Sequence, residues 1–99
     1  MPRDIIPAVY IVTNARNGTL YTGVTSNLPQ RIAQHRTGTF TGFTKRYACT
    51  RLVWFELHAT MLHAIMREKQ IKAGSRRRKL DLIEDVNPLW RDLFREICA

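Results

Sequence analysis

The hydrophobic and polar positions divide the chain into short segments of two different periods. Ala8 to Asn14 is a run of β-branched and aromatic residues, Ala-Val-Tyr-Ile-Val-Thr before the Asn, and such a composition predicts a strand. Ala15-Arg16-Asn17-Gly18 follows, and Asn-Gly is a strong signal for a tight hairpin. Thr19 to Thr25 then predicts a second strand, paired antiparallel to the first. Ser26 and Asn27 are good helix N-caps and Pro29 suits a first turn, so a helix is predicted from Leu28 to Thr37, stopped by Gly38. Gly38 to Thr50 is polar and contains two glycines, and predicts a surface loop. Arg51 to His58, apolar at its centre, predicts a third strand.

Helical spacing governs the rest. Thr60 caps a predicted helix from Met61 to Ala73, which ends at Gly74-Ser75, and Arg76 to Val86 predicts another. Asn87-Pro88 opens a last predicted helix, in which Trp90, Leu93, Phe94 and Ile97 recur at helical intervals. The order β-β-α-β-α-α-α predicts an α+β fold, a three-stranded antiparallel sheet with helices packed on it. The 99 residues fit a single domain, with its core over about 7–84 and a C-terminal helical extension over 87–98.

Composition narrows the partners. The formal net charge is +8, which favours a polyanion, nucleic acid before others. No segment has the long uncharged apolar run of a membrane span, and the first residues lack the apolar core of a secretory signal. The two cysteines, Cys49 and Cys98, form no CxxC pair, so neither a disulfide framework nor a zinc site is expected, and a reducing cytoplasm is the expected compartment.

Several side chains could carry chemistry. Glu68 lies four residues after Ala64, three after Ile65 and three before Ile71, on or beside the buried stripe of its helix. A carboxylate there needs a partner. Two readings stand: a salt bridge to Arg67 or Lys72, or a hard divalent cation that keeps several waters. Arg31 and His35, four apart, share a helix face; they are either a solvated surface or a phosphate-binding guanidinium with an imidazole beside it. Tyr10 and Tyr21 come from neighbouring strands and can approach one site, or they are ordinary strand aromatics. A phenol acts as a base only where nearby cations favour its ionised form. Gly23 either lets a ligand approach the backbone or relieves strand packing. Lys45, Arg46, Lys72, Arg76, Arg77 and Arg78 offer phosphate contacts, and Tyr47 could stack on a base.

With Ala8-Val9-Tyr10, Tyr21-Thr22-Gly23, Arg31, His35 and Glu68 in this order, the chain resembles the GIY-YIG nuclease superfamily, most closely its small single-domain bacterial members. The resemblance runs from about Pro7 to about Glu84. The leading Gly and Ile of the first segment are Ala8 and Val9 here, and the Ile of the second is Thr22. The family's late Asn would correspond to Asn87. The resemblance implies a nuclease of the kind used in DNA repair, hydrolysing phosphodiester bonds of DNA by structure rather than sequence. Tyr10 would receive the proton of the attacking water. Arg31 would bind the non-bridging oxygens of the phosphate, Tyr21 and His35 would position water and phosphate, and Glu68 would bind one Mg²⁺ or Mn²⁺ ion. A catalytically silent module that binds DNA or RNA on the same scaffold is the alternative. The apolar face of the last helix suits packing on the core or on another copy, so a monomer or weak homodimer is expected.

Overall fold

The computed structural model describes residues 6–38 and 46–98. Three strands, β1 (Ala8–Thr13), β2 (Leu20–Thr25) and β3 (Arg51–Leu57), form one antiparallel sheet in the order β2-β1-β3. The helices are α1 (Leu28–Thr37), α2 (Met61–Ala73), α3 (Arg76–Val86) and a short α4 (Phe94–Ile97). This is the expected α+β architecture.

Every residue of β1 is buried, which explains its unbroken apolar run: a central strand covered on both faces has no solvent side to make polar. Alternation sends Ala8, Tyr10 and Val12 to one face, where they meet Leu28 and Ile32 of α1, together with Cys49, Leu52 and Leu93. Val9 and Ile11 face the other way, against Ala64 and Ile71 of α2, Ile83 of α3 and Trp90. Each fully buried side chain of this size stabilises the fold by about 1.5–3 kcal/mol relative to exposure. On the β3 side the register shifts: Ile11 opposes Trp54 while Val12 opposes Leu52. Val53 is therefore an extra residue, and it shares the second core with Trp54.

Side-chain caps set the helix starts. Asn27 accepts from Gln30 N, Thr60 from His63 N and Ser75 from Arg78 N. Gly38 closes α1 at φ 72°, a left-handed conformation that costs a glycine nothing. Both cysteines are free, Cys49 buried and Cys98 exposed. Among the described residues no helix is long and apolar enough to cross a membrane. The predicted surface loop falls largely on 39–45, outside the described residues, as does Lys45.

The C-terminal stretch departs from expectation. Asn87 ends α3 rather than opening a helix, its N–H reaching Ile83 O at 2.7 Å. Its carboxamide donates to the carbonyls of Val53 and Arg91 and accepts from Arg91 N. Trp90 follows at φ 56° and is fully buried. Leu93 N then donates to Leu52 O, and the Asp92 carboxylate accepts from Leu52 N and Phe94 N and pairs with Arg36 of α1. The segment wraps the open edge of β3, and helical geometry is confined to Phe94–Ile97. The helical spacing of Trp90 and Leu93 misleads because the two side chains anchor opposite faces of the sheet.

Candidate active site

Tyr10 occupies the middle of the central strand, and its cross-strand partner on β2 is Gly23. A Cβ at Gly23 would lie 2.5 Å from Tyr10 Cζ and closer still to the phenol oxygen. Of the two readings of Gly23, the packing one is seen: the glycine leaves the space across which the Tyr10 ring lies. Tyr21 is two residues before Gly23 on β2, opposite Val12. It is thus a diagonal neighbour of Tyr10 on the same face, with ring centroids 6.5 Å apart.

Helix α1 completes the cluster from above. His35, in its last turn, is buried, and its Nε2 lies 2.9 Å from Tyr10 Oη. The imidazole centroid is 5.6 Å from that of Tyr10 and 5.7 Å from that of Tyr21, so the three rings form a nearly equilateral group. Arg31, one turn earlier, acts on the Tyr10 phenol both as a hydrogen-bond donor and as a cation. Glu68 of α2 is close enough for its charge to act on the same phenol. One turn further along α2, Lys72 Nζ lies 3.4 Å from Glu68 Oε2 and 5.9 Å from the centre of the Tyr21 ring. Four residues from distant parts of the chain, Tyr21, Arg31, His35 and Glu68, thus gather around the Tyr10 phenol.

Burial governs the protonation of this group. Removal from water, reinforced by Tyr21 and Glu68, raises the Tyr10 pKa well above the usual phenol range, and the Arg31 cation only partly opposes this. The condition for a phenol to act as a base, cations that favour its ionised form, is therefore not met in the free protein: desolvation outweighs Arg31. Burial first, and the positive charge of Arg31 second, lower the His35 pKa to about 4, so the imidazole is neutral at physiological pH.

The remaining predicted positions divide. Of the two salt-bridge partners offered for Glu68, Lys72 makes the contact, while Arg67 pairs with Glu56 and Gln70. Arg76 donates to the carbonyls of Asn17 and Gly18 at 3.0 and 2.7 Å, stapling the β1–β2 turn to the start of α3. Sequence reasoning offered it only as a phosphate contact, and no local signal joins residues so far apart in the chain. Arg77 pairs with Asp81, Arg78 is exposed beside Gly74, and Arg46 is exposed with its guanidinium 5.6 Å from the Tyr47 ring centre. Asn87 is taken up entirely in holding the C-terminal wrap to β3, so its carboxamide has no donor left over for a site.

A divalent cation fits the donors present. Glu68 supplies a hard carboxylate oxygen, 15% exposed on its side chain, of the kind Mg²⁺ prefers. Among the described residues no three His, Cys, Asp or Glu side chains cluster. One carboxylate plus water and substrate phosphate is a mode in which Mg²⁺ is commonly held.

The frame of the site is an α+β sheet whose central strand carries Tyr10 packed across Gly23, covered by a helix that bears Arg31 and His35. The chain belongs to the GIY-YIG family: the model of the GIY-YIG catalytic domain matches residues 6–81. Nucleases of this family typically use a divalent metal. A UPF0213 protein of Staphylococcus haemolyticus is 40% identical over 77 residues, which cover 78% of this chain and 93% of the relative. A UPF0213 protein of Staphylococcus saprophyticus is 38% identical over the same length and coverage. The solution NMR structure of a UPF0213 protein from Bacillus halodurans superposes with a TM-score of 0.55 at 28% identity, covering 88% of this chain and 92% of that one. Residues 87–98, which wrap β3, lie beyond the matched catalytic domain.

Proposed function

We propose that the protein is a metal-dependent nuclease that hydrolyses phosphodiester bonds of DNA, directed by the shape of its substrate rather than by base sequence. The observation that carries this reading is the Tyr10–His35 contact. A neutral phenol is 2.9 Å from a neutral imidazole, with a guanidinium and a carboxylate acting on the same phenol.

A buried phenol with a raised pKa cannot serve as a base by ionising first. It can serve as a relay. With His35 protonated on Nδ1, Nε2 accepts the Tyr10 proton while Tyr10 Oη takes one from the attacking water. The water oxygen forms a bond to phosphorus, the bond from phosphorus to the departing sugar oxygen breaks, that oxygen takes a proton from solvent, and His35 returns to solvent the proton it received. Arg31 donates to the non-bridging oxygens as negative charge builds on them. Tyr21 closes one side of the space beside Tyr10 and orients the water. A single Mg²⁺ or Mn²⁺ held by Glu68 supplies charge neutralisation at the phosphate when bound. The net charge of +8 and the exposed Arg46, Arg77 and Arg78 favour a polyanionic substrate.

The test is incubation of the purified protein with labelled single-stranded, duplex and branched DNA and with RNA, in Mg²⁺ or in EDTA. The reading expects cutting in Mg²⁺ and none in EDTA, with Arg31→Ala and Glu68→Ala each lowering the rate about 10²–10³-fold while the fold persists. A salt-sensitive gel shift without cutting on every substrate would overturn it in favour of a binding module.

A further inference from the structure

Among the described residues, the ion pair between Glu68 and Lys72 is unlike the intrahelical pair of Arg77 and Asp81. Arg77 and Asp81 are both largely exposed, 77% and 60%, as expected of a solvated helix face. Glu68 is 15% exposed and Lys72 50%. The acid is mostly withdrawn from water beside the Tyr10 phenol, and the base reaches it from the rim on a long stem. A half-buried carboxylate is costly without a counter-charge. Arg67, the adjacent cation, is committed to Glu56 and Gln70. Lys72 is thus a cation in direct contact with the Glu68 carboxylate in the free protein.

From this geometry, and resting on the reading above in which Glu68 holds the divalent cation, we infer that Lys72 is an exchangeable counter-ion. Its ammonium occupies the carboxylate until a cation displaces it, and it then turns to the phosphate of the bound nucleic acid. Three features suit it to that exchange. Its contact with Glu68 is long for an ion pair, 3.4 Å, and half the side chain is in solvent, so the pair is weak. Lysine is a compact charge on a flexible stem with three donors, free to be redirected, where arginine would be held by a planar fork. In the same position the ammonium lies 5.9 Å from the centre of the Tyr21 ring, a cation–π contact that can persist when the carboxylate is given up. The consequence is that the same residue opposes metal binding and favours substrate binding. It limits occupancy of the carboxylate by free metal and gives the protein a phosphate contact only once the carboxylate is filled.

The test is a Mn²⁺ titration of the full chain without nucleic acid, by calorimetry, for the parent, Glu68→Gln, Lys72→Met and Lys72→Arg. Binding of a labelled DNA duplex is then measured across a salt series in Ca²⁺ for the parent and Lys72→Met. Lys72→Met should bind Mn²⁺ about two- to fivefold more tightly than the parent, and Lys72→Arg should not. Lys72→Met should also bind the duplex more weakly, with the slope of log affinity against log salt smaller by about 1. Mn²⁺ binding unchanged in Glu68→Gln would overturn the metal assignment and this inference with it. Mn²⁺ binding lost in Glu68→Gln but not tightened in Lys72→Met would overturn the exchange alone, leaving the nuclease reading in place. An unaltered salt slope would remove the phosphate contact.

Discussion

Tyr10 and Gly23 face each other across β1 and β2, and the phenol of one lies over the backbone of the other with no room for a methyl group between them. The glycine is thereby a requirement of the tyrosine's position, and the tyrosine's position sets its distance to His35.

Gly23→Ala should accordingly destabilise the fold by about 1–3 kcal/mol, the range for overpacking a closed site. The same change made in a Tyr10→Ala background should cost less, because the ring it collides with is gone. A double-mutant cycle by chemical denaturation checks this. Additive effects would mean that the clash is relieved elsewhere.

His35 makes stability sensitive to acid. Its pKa is about 4 in the folded protein against about 6.5 for an unperturbed imidazole. Between these values the unfolded chain binds the proton and the folded one does not, so stability rises with pH across that window. The contribution is complete above about pH 6.5 and is lost progressively as the pH falls through 4, about 3 kcal/mol in all. Denaturation midpoints measured from pH 7 down to 4 should fall for the parent. They should fall less for His35→Phe, which has no proton to bind. The relay has the same sign, since cleavage needs the neutral imidazole and should be lost only as the pH drops to about 4.

Asn87→Ala should cost about 2–4 kcal/mol, because it leaves the Val53 and Arg91 carbonyls and the Arg91 N–H without their partner at the edge of the sheet. Thermal or chemical denaturation checks it. Were Asn87 a site residue instead, the loss would fall on activity with stability unchanged.

Much of the fold is legible in the sequence because its punctuation is local. Asn27, Thr60 and Ser75 cap helices within three residues of themselves, Gly38 ends α1 by its own backbone, and Asn-Gly turns the hairpin that makes Tyr10 and Tyr21 neighbours. Glu68 and Lys72 are readable for the same reason, being one helical turn apart. What is not legible depends on residues distant in the chain. Asn87 and Trp90 look like the start of a helix until Val53, Leu52 and Arg36 claim the segment for the edge of β3. The staple from Arg76 to the β1–β2 turn is likewise invisible to periodicity. That burial raises the Tyr10 pKa could not be read either. The sequence displays the number of cations around it, but not how far the phenol is withdrawn from water.

The account turns on one oxygen atom. Tyr10→Phe removes the phenol hydroxyl and leaves the ring over Gly23, so the fold and the affinity for DNA should be kept. The single-turnover rate of DNA cleavage in Mg²⁺ should fall by about 10²–10⁴-fold, the range for removing a proton-transfer group. A Tyr10→Phe variant that cuts at the parental rate would contradict the relay and, with it, the role assigned to the Tyr10–His35 pair.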